Sequence, residues 1–142
     1  MKKLLMIAAI ALMAVACNKN QAAVKKLDGK WKATIITTTI SGITFDLIAT
    51  GAIKSAEFTF ENCKLKKDEL CNATYTEINA LDITTVDSSL YKVTEEGTKI
   101  ETQEDPSSTT ITAYEILDLT NSLLKVRRVI DGVTYDMTMA KQ

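Results

Sequence analysis

The chain is 142 residues long and sets 17 Lys+Arg against 18 Asp+Glu, with no histidine. That length supports one domain, and the even charge excludes the clustered basic surface of a nucleic-acid-binding protein. Without imidazole there is no Ser-His-Asp or Cys-His catalysis and no His-ligated zinc or haem centre, while one Pro and five Gly exclude low-complexity disorder.

At the N-terminus, Lys2 and Lys3 precede an unbroken apolar run, Leu4 to Val15. Cys17 follows Ala14-Val15-Ala16, and the chain then turns polar at Asn18-Lys19-Asn20-Gln21. This is the layout of a bacterial signal peptide, expected over residues 1–16. As a helix the apolar run reaches only about 18 Å, short of the ~30 Å hydrocarbon core of a bilayer. The small residues before Cys17 resemble a bacterial lipobox, with Ala14 where most lipoboxes carry Leu. The resemblance implies cleavage before Cys17, a lipid on its thiol and acylation, such as palmitate, of the new amine. Burying such chains at about 0.8 kcal/mol per methylene holds a protein at a membrane with no spanning helix. The alternative is an ordinary secretory signal with an incidental Cys near the cut. Residues 17–26 then read as the lipidated Cys and a short tether, and 27–142 as the folded domain. The tether lacks the acidic block that directs some lipoproteins of the Bacteroidota to the cell surface. By resemblance, that implies a lipid-anchored envelope protein on the outer membrane, facing the periplasm.

From Trp31 onward hydrophobicity has period two. Over residues 43–50 the odd positions, Ile43, Phe45, Leu47 and Ala49, are apolar, Ala56, Phe58 and Phe60 alternate with Glu57, Thr59 and Glu61, and Val133, Tyr135, Met137 and Met139 alternate with Thr134, Asp136 and Thr138. Such alternation lays one face of each strand on a core and the other in water. Turn residues divide the runs: Ser41-Gly42, Glu95-Glu96-Gly97, Asp105-Pro106-Ser107-Ser108, Asn121-Ser122 and Asp131-Gly132. The expected strands are 30–40, 43–51, 55–62, 72–78, 89–94, 98–104, 109–118, 123–130 and 133–140, with 79–88 either a loop or a further short strand. A single helical turn fits near Val24–Leu27. Short links between consecutive strands make a meander, and closing it removes both unpaired edges. The expected fold is all-β: an eight- or nine-stranded antiparallel up-and-down barrel, preceded by the signal or lipoprotein peptide. A two-sheet sandwich is the competing architecture.

Leu27-Asp28-Gly29-Lys30-Trp31 resembles the Leu-x-Gly-x-Trp lead-in of lipocalin and lipocalin-like barrels. The Phe-x-Phe strand before Cys63, the charged hairpin ending at Cys71, and Tyr114 to Thr120 followed by Leu123-Leu124-Lys125-Val126 are similar to small lipocalin-like lipoproteins of the Bacteroidota. The resemblance covers residues 27–140. It implies that Gly29 permits a close approach, that Trp31 plugs the closed end, and that an arginine packs over it. Arg127 and Arg128 are the two arginines in the sequence. Avidins share the Gly-x-Trp, but their biotin sites use several tryptophans, and only Trp31 occurs here.

Cys63 and Cys71 frame a hairpin loop and, in an exported protein, read as a disulfide. A metal pair would need further soft ligands nearby, and the Cys-x-x-Cys redox spacing is absent. Lys64, Lys66 and Lys67 in that loop, offset by Asp68 and Glu69, read as a solvated tip. Glu95, Glu96, Glu101, Glu104 and Asp105 could form a carboxylate or calcium site but read better as a water-facing side. Glu115 interrupts an apolar run and is expected outward through a β-bulge.

The inward set expected from alternation is Trp31, Ala33, Ile35, Ile43, Phe45, Leu47, Ala49, Phe58, Phe60, Ala73, Tyr75, Tyr91, Val93, Ile100, Ile111, Leu124, Val126, Val133, Tyr135, Met137 and Met139. Either these residues form a packed core, or Phe45, Phe58, Tyr91, Tyr135 and Met137 line an apolar cavity; the pattern is the same for both, and the resemblance to small lipocalin-like domains implies an occluded core or a small cavity. The leading expectation is a monomeric, non-enzymatic, membrane-anchored lipocalin-like binding or structural module without cofactor or metal, its partner a small apolar ligand or another envelope protein. The alternatives are a protein-interaction or inhibitor module with a filled barrel, and a carboxylate-based enzyme.

Overall fold

A computed structural model describes residues 19–64 and 69–142. Its elements are a helix α1 over residues 19–27 and strands β1 (Gly29–Ile40), β2 (Ile43–Asp46), β3 (Ile53–Phe60), β4 (Cys71–Asn79), β5 (Thr84–Thr94), β6 (Lys99–Gln103), β7 (Thr112–Leu119), β8 (Leu123–Ile130) and β9 (Val133–Lys141). Every pairing is antiparallel, running β1-β3-β4-β5-β6-β7-β8-β9, and β9 returns to β1 along Trp31–Thr39. The result is a closed eight-stranded barrel with β2 as an extra strand, not a sandwich. Closure leaves the eight barrel strands without a free edge.

The position of β2 departs from a simple meander. One edge of β1 is shared: its C-terminal part, Thr37–Ile40, pairs with β2, and its N-terminal part, Gly29–Lys32, pairs with β3. Residues 47–52 loop out between the two. The expected strand 43–51 stops at Asp46 because its Oδ1 accepts hydrogen bonds from the Ile48 and Ala49 amides at 2.9 and 3.1 Å, turning the chain. Ala49 is therefore exposed in the turn. Ile43 and Phe45, both expected inside, are 60% and 45% exposed because the β1–β2 hairpin projects past the barrel end.

Two irregularities re-aim side chains. The β1–β9 register shifts between Ala33 and Ile35. The inward phase therefore moves from odd to even residues, and Ile36 is buried (4% exposed) where Ile35 was expected (44%). The β7–β8 register shifts between Ile116 and Asp118. Glu115 faces out before that shift, by ordinary alternation rather than by a bulge of its own, and Leu117 is the residue left outside. Ile111 also lies outside, since β7 begins only at Thr112. The ambiguous stretch 79–88 becomes a turn followed by strand from Thr84; Asn79 Oδ1 accepts from the Leu81 and Ile83 amides. Asp131-Gly132 forms the tight β8–β9 turn with φ of 49° and 79°, the positive pair such a two-residue hairpin demands.

The segment read as a tether is helical from residue 19. Ala23, Val24 and Leu27 of α1 enter the main core with Trp31, Phe60, Tyr91, Val93, Leu124 and Met139. Spacing of three and four residues puts these three side chains on one helix face. Burying Val24 and Leu27 contributes about 1.5–3 kcal/mol each, so the helix is held by packing and not by its own propensity. Cys17 and Leu65 to Asp68, which include Lys66 and Lys67, lie outside the described residues.

Candidate functional site

One end of the barrel is sealed. α1 crosses it, Lys19 pairs with Glu96 in the β5–β6 turn at 2.5 Å, and Gln21 Nε2 donates to the Cys63 carbonyl at 3.0 Å. Trp31 is fully buried, and its Nε1 donates to the Leu27 carbonyl at 2.6 Å. The lid expected over its ring is a lysine instead of an arginine: Lys141 Nζ lies 5.2 Å from the ring centroid and donates to the Lys26 carbonyl at 3.1 Å. β9 returns beside the start of β1 with Trp31 opposite Lys141, whereas Arg127 and Arg128 sit further along β8, toward the other end. Gly29 has φ of +113°, and a Cβ there would meet Lys141 Cε at 3.1 Å, so backbone and neighbour both call for glycine. Cys63 and Cys71 are disulfide-bonded, with Cα atoms 5.6 Å apart, and tie the β3–β4 loop to this same end.

Above the seal the barrel is hollow, where an occluded core or a small cavity was expected. A cavity of about 820 Å³ runs to the opposite end, where exposed lining residues such as Asp87, Glu104 and Ile130 mark its mouth. Its apolar lining includes Ile36, Leu47, Ile53, Phe58, Phe60, Ile100, Leu124, Val126, Met137 and Met139. Phe58 packs on Tyr75 with ring centroids 4.6 Å apart, and Phe60 meets Tyr91 edge-on at 5.1 Å.

The polar lining is divided between two walls. Arg128 on β8 faces inward beside Tyr114 and opposite Tyr135 in the β8–β9 register. Its guanidinium carbon lies 5.5 Å from the Tyr114 ring centroid, and its Nη1 donates to the Tyr114 hydroxyl at 3.5 Å. Glu77 on β4 and Asp87 on β5 line the facing wall; β4 stands four strands from β8 in the ring of eight, across the barrel. The Tyr75 hydroxyl donates to Glu77 Oε2. Burial first, and then the adjacent Glu77 carboxylate, hold the Tyr75 phenol well above its ordinary range.

Phe58, Tyr135 and Met137 of the expected lining set do face this cavity. Phe45 does not, because β2 carries it out on the projecting hairpin. Neither does Tyr91, which is fully buried beyond Phe60 and donates its hydroxyl to the Glu61 carbonyl at 2.9 Å. Arg127 points outward and clasps Asp136 through two hydrogen bonds of 2.7 and 2.9 Å. The acidic stretch does not converge: Glu95 pairs with Lys99, Glu96 with Lys19 and Glu101 with Lys92. Asp105 Oδ1 accepts from the Ser107 amide and hydroxyl, and of this set Glu104 alone lines the cavity. Among the described residues no cluster of His, Cys, Asp and Glu suits a metal ion.

Sequence reasoning passed over the inward Arg128, Tyr114, Glu77 and Asp87. A signal for Arg128 was present. It falls in phase with Leu124 and Val126, which alternation places inside, but the resemblance assigned it, with Arg127, to the ring of Trp31.

No family model matches the chain, and no curated protein matches it. Among solved structures, the chain is similar to a lipocalin-like protein from Bacteroides uniformis ATCC 8492. The match covers 82% of this chain and 99% of that one, at 13% identity and a TM-score of 0.51. The fold is thus a lipocalin-like barrel: eight antiparallel strands closed upon themselves, with one strand added.

Proposed function

We propose that this protein is a non-enzymatic envelope lipoprotein that holds a small, largely apolar molecule inside its barrel. The observation that carries the reading is the cavity of about 820 Å³, within the range of roughly 300–1,000 Å³ typical of sites that enclose one small molecule. Its lining supports the same reading: aliphatic and aromatic walls with a few polar groups. A filled barrel, as an interaction module would have, does not match a cavity of this size. The lipid on Cys17 supplies the anchor. Because Lys19 already contacts the β5–β6 turn at the sealed end, an anchor two residues earlier turns that end toward the membrane and the mouth away from it.

The test is uptake of a neutral fluorescent probe, N-phenyl-1-naphthylamine, by the folded protein. The reading expects saturable one-to-one uptake that Ala73→Trp, whose indole enters the cavity from its lining, weakens in a protein whose far-ultraviolet spectrum stays native. Uptake unchanged in that variant would place the probe elsewhere and defeat the reading. Cys17→Ala is expected to release the protein from membranes; retention would defeat the anchor.

A further inference from the structure

We propose that Tyr114, Arg128 and Tyr135 form an anion subsite in the cavity wall, and that the ligand is an amphiphile with one carboxylate head and an apolar tail. This rests on the cavity reading above and specifies its ligand class. A guanidinium stays charged at any physiological pH, and placing it against an apolar cavity is costly unless an anion accompanies it. The chain provides such a partner for the neighbouring Arg127, which clasps Asp136 on the outer face. Arg128 faces inward, and among the described residues no carboxylate lies within ion-pairing distance of it. Its one hydrogen bond there is the long contact of 3.5 Å to the Tyr114 hydroxyl.

The surroundings orient the unused donors. The Tyr114 ring packs against the guanidinium, and Tyr135, the register partner of Arg128 on β9, also lines the cavity, so two phenols share this wall with the fork. A carboxylate matches the paired N–H groups of such a fork, and the phenols add donors beside it. Glu77 and Asp87 on the far side and Glu104 near the mouth are the lining carboxylates, Arg128 the one lining cation; the carboxylates repel a second negative charge and disfavour a ligand head placed anywhere but at Arg128. Between the walls, Phe58, Ile100, Leu124 and Met137 offer apolar surface to the tail. A monocarboxylate satisfies this arrangement; a neutral lipid leaves the guanidinium without an anion.

The experiment measures displacement of bound N-phenyl-1-naphthylamine by dodecanoate and by dodecanol at pH 7.4. In water the ionised acid is the less hydrophobic of the two, so burial alone favours the alcohol. The subsite predicts the reverse, with the acid acting at about tenfold lower concentration, as a charge-assisted pair in a shielded site implies. Arg128→Met should weaken the acid until the alcohol is the stronger competitor and leave the alcohol unchanged, Tyr135→Phe should weaken the acid by less, and Arg127→Met should alter neither. Equal potency in the unmodified protein, or an acid preference that survives Arg128→Met, overturns the subsite but leaves the cavity reading standing. Failure of both compounds to displace the probe removes the cavity reading, and the subsite with it.

Discussion

Lys141 holds its ammonium 5.2 Å from the centroid of the Trp31 ring while hydrogen-bonding the Lys26 carbonyl at the end of α1. One side chain from the last strand therefore joins the closing tryptophan to the helical plug. Lys141→Ala is expected to lower unfolding free energy by about 0.5–1.5 kcal/mol, the scale of a partly exposed cation–π contact plus one hydrogen bond. Because Trp31 is the single tryptophan in the sequence, its emission reports this site directly. Urea titration followed by that emission should show the loss, and Arg128→Met should leave the Trp31 spectrum of the ligand-free protein unchanged. A Lys141→Ala protein as stable as the parent would contradict the assignment.

The helix is a structural part of the barrel. Leu27→Ala removes a fully buried side chain and should cost about 2–5 kcal/mol. Urea unfolding of this variant checks it. A change near zero would mean that the plug dissociates freely and that the segment behaves as a tether after all.

The disulfide closes a short loop at the sealed end, with a sequence separation of 8. Replacing Cys63 and Cys71 together by serine should lower stability by about 2–3 kcal/mol on the chain-entropy account. Gln21 of α1 bonds the Cys63 carbonyl, so amide hydrogen exchange in α1 should quicken in the same variant. Exchange confined to the β3–β4 loop would show that the loop and the helix are independent.

Alkaline titration should separate the tyrosines. Burial, with Glu77 beside one and Asp28 and Glu61 near the other, holds the Tyr75 and Tyr91 phenols far above the ordinary value near 10. Each is neutral in the folded state at a pH where it ionises in the unfolded chain. Their contribution to stability is whole below about pH 10 and declines as the pH rises toward their folded-state values. Absorbance at 295 nm, followed while the far-ultraviolet signal remains native, should show a fraction of the tyrosine signal resisting ionisation. Tyr75→Phe/Tyr91→Phe should lose the part of that fraction these two phenols contribute.

Period-two patterning made the barrel legible because each strand needs one buried and one wet face. The Asp131-Gly132 and Ser41-Gly42 turns were legible because their backbone demands positive φ. What escaped the pattern was decided between strands. The bulge after Ala33 moves burial from Ile35 to Ile36, and nothing local in Ala33-Thr34-Ile35-Ile36 announces it. The exposure of Phe45 depends on which strand pairs with which half of β1, a non-local choice. Lys141 displaced the expected arginine over Trp31 because the end of β9, and not the middle of β8, arrives beside that ring. Cavity and packed core share one hydrophobic pattern, so the hollow interior needed coordinates. The inward arginine was assigned to the Trp31 ring, although its place on β8 carries it toward the other end of the barrel.

The most direct measurement is native mass spectrometry of the protein isolated gently from the envelope of its own cells, alongside the Ala73→Trp protein prepared in the same way. The account predicts one carboxylate-bearing small molecule carried by the first and depleted in the second. A bare polypeptide that also takes up neither probe nor dodecanoate in solution would contradict it.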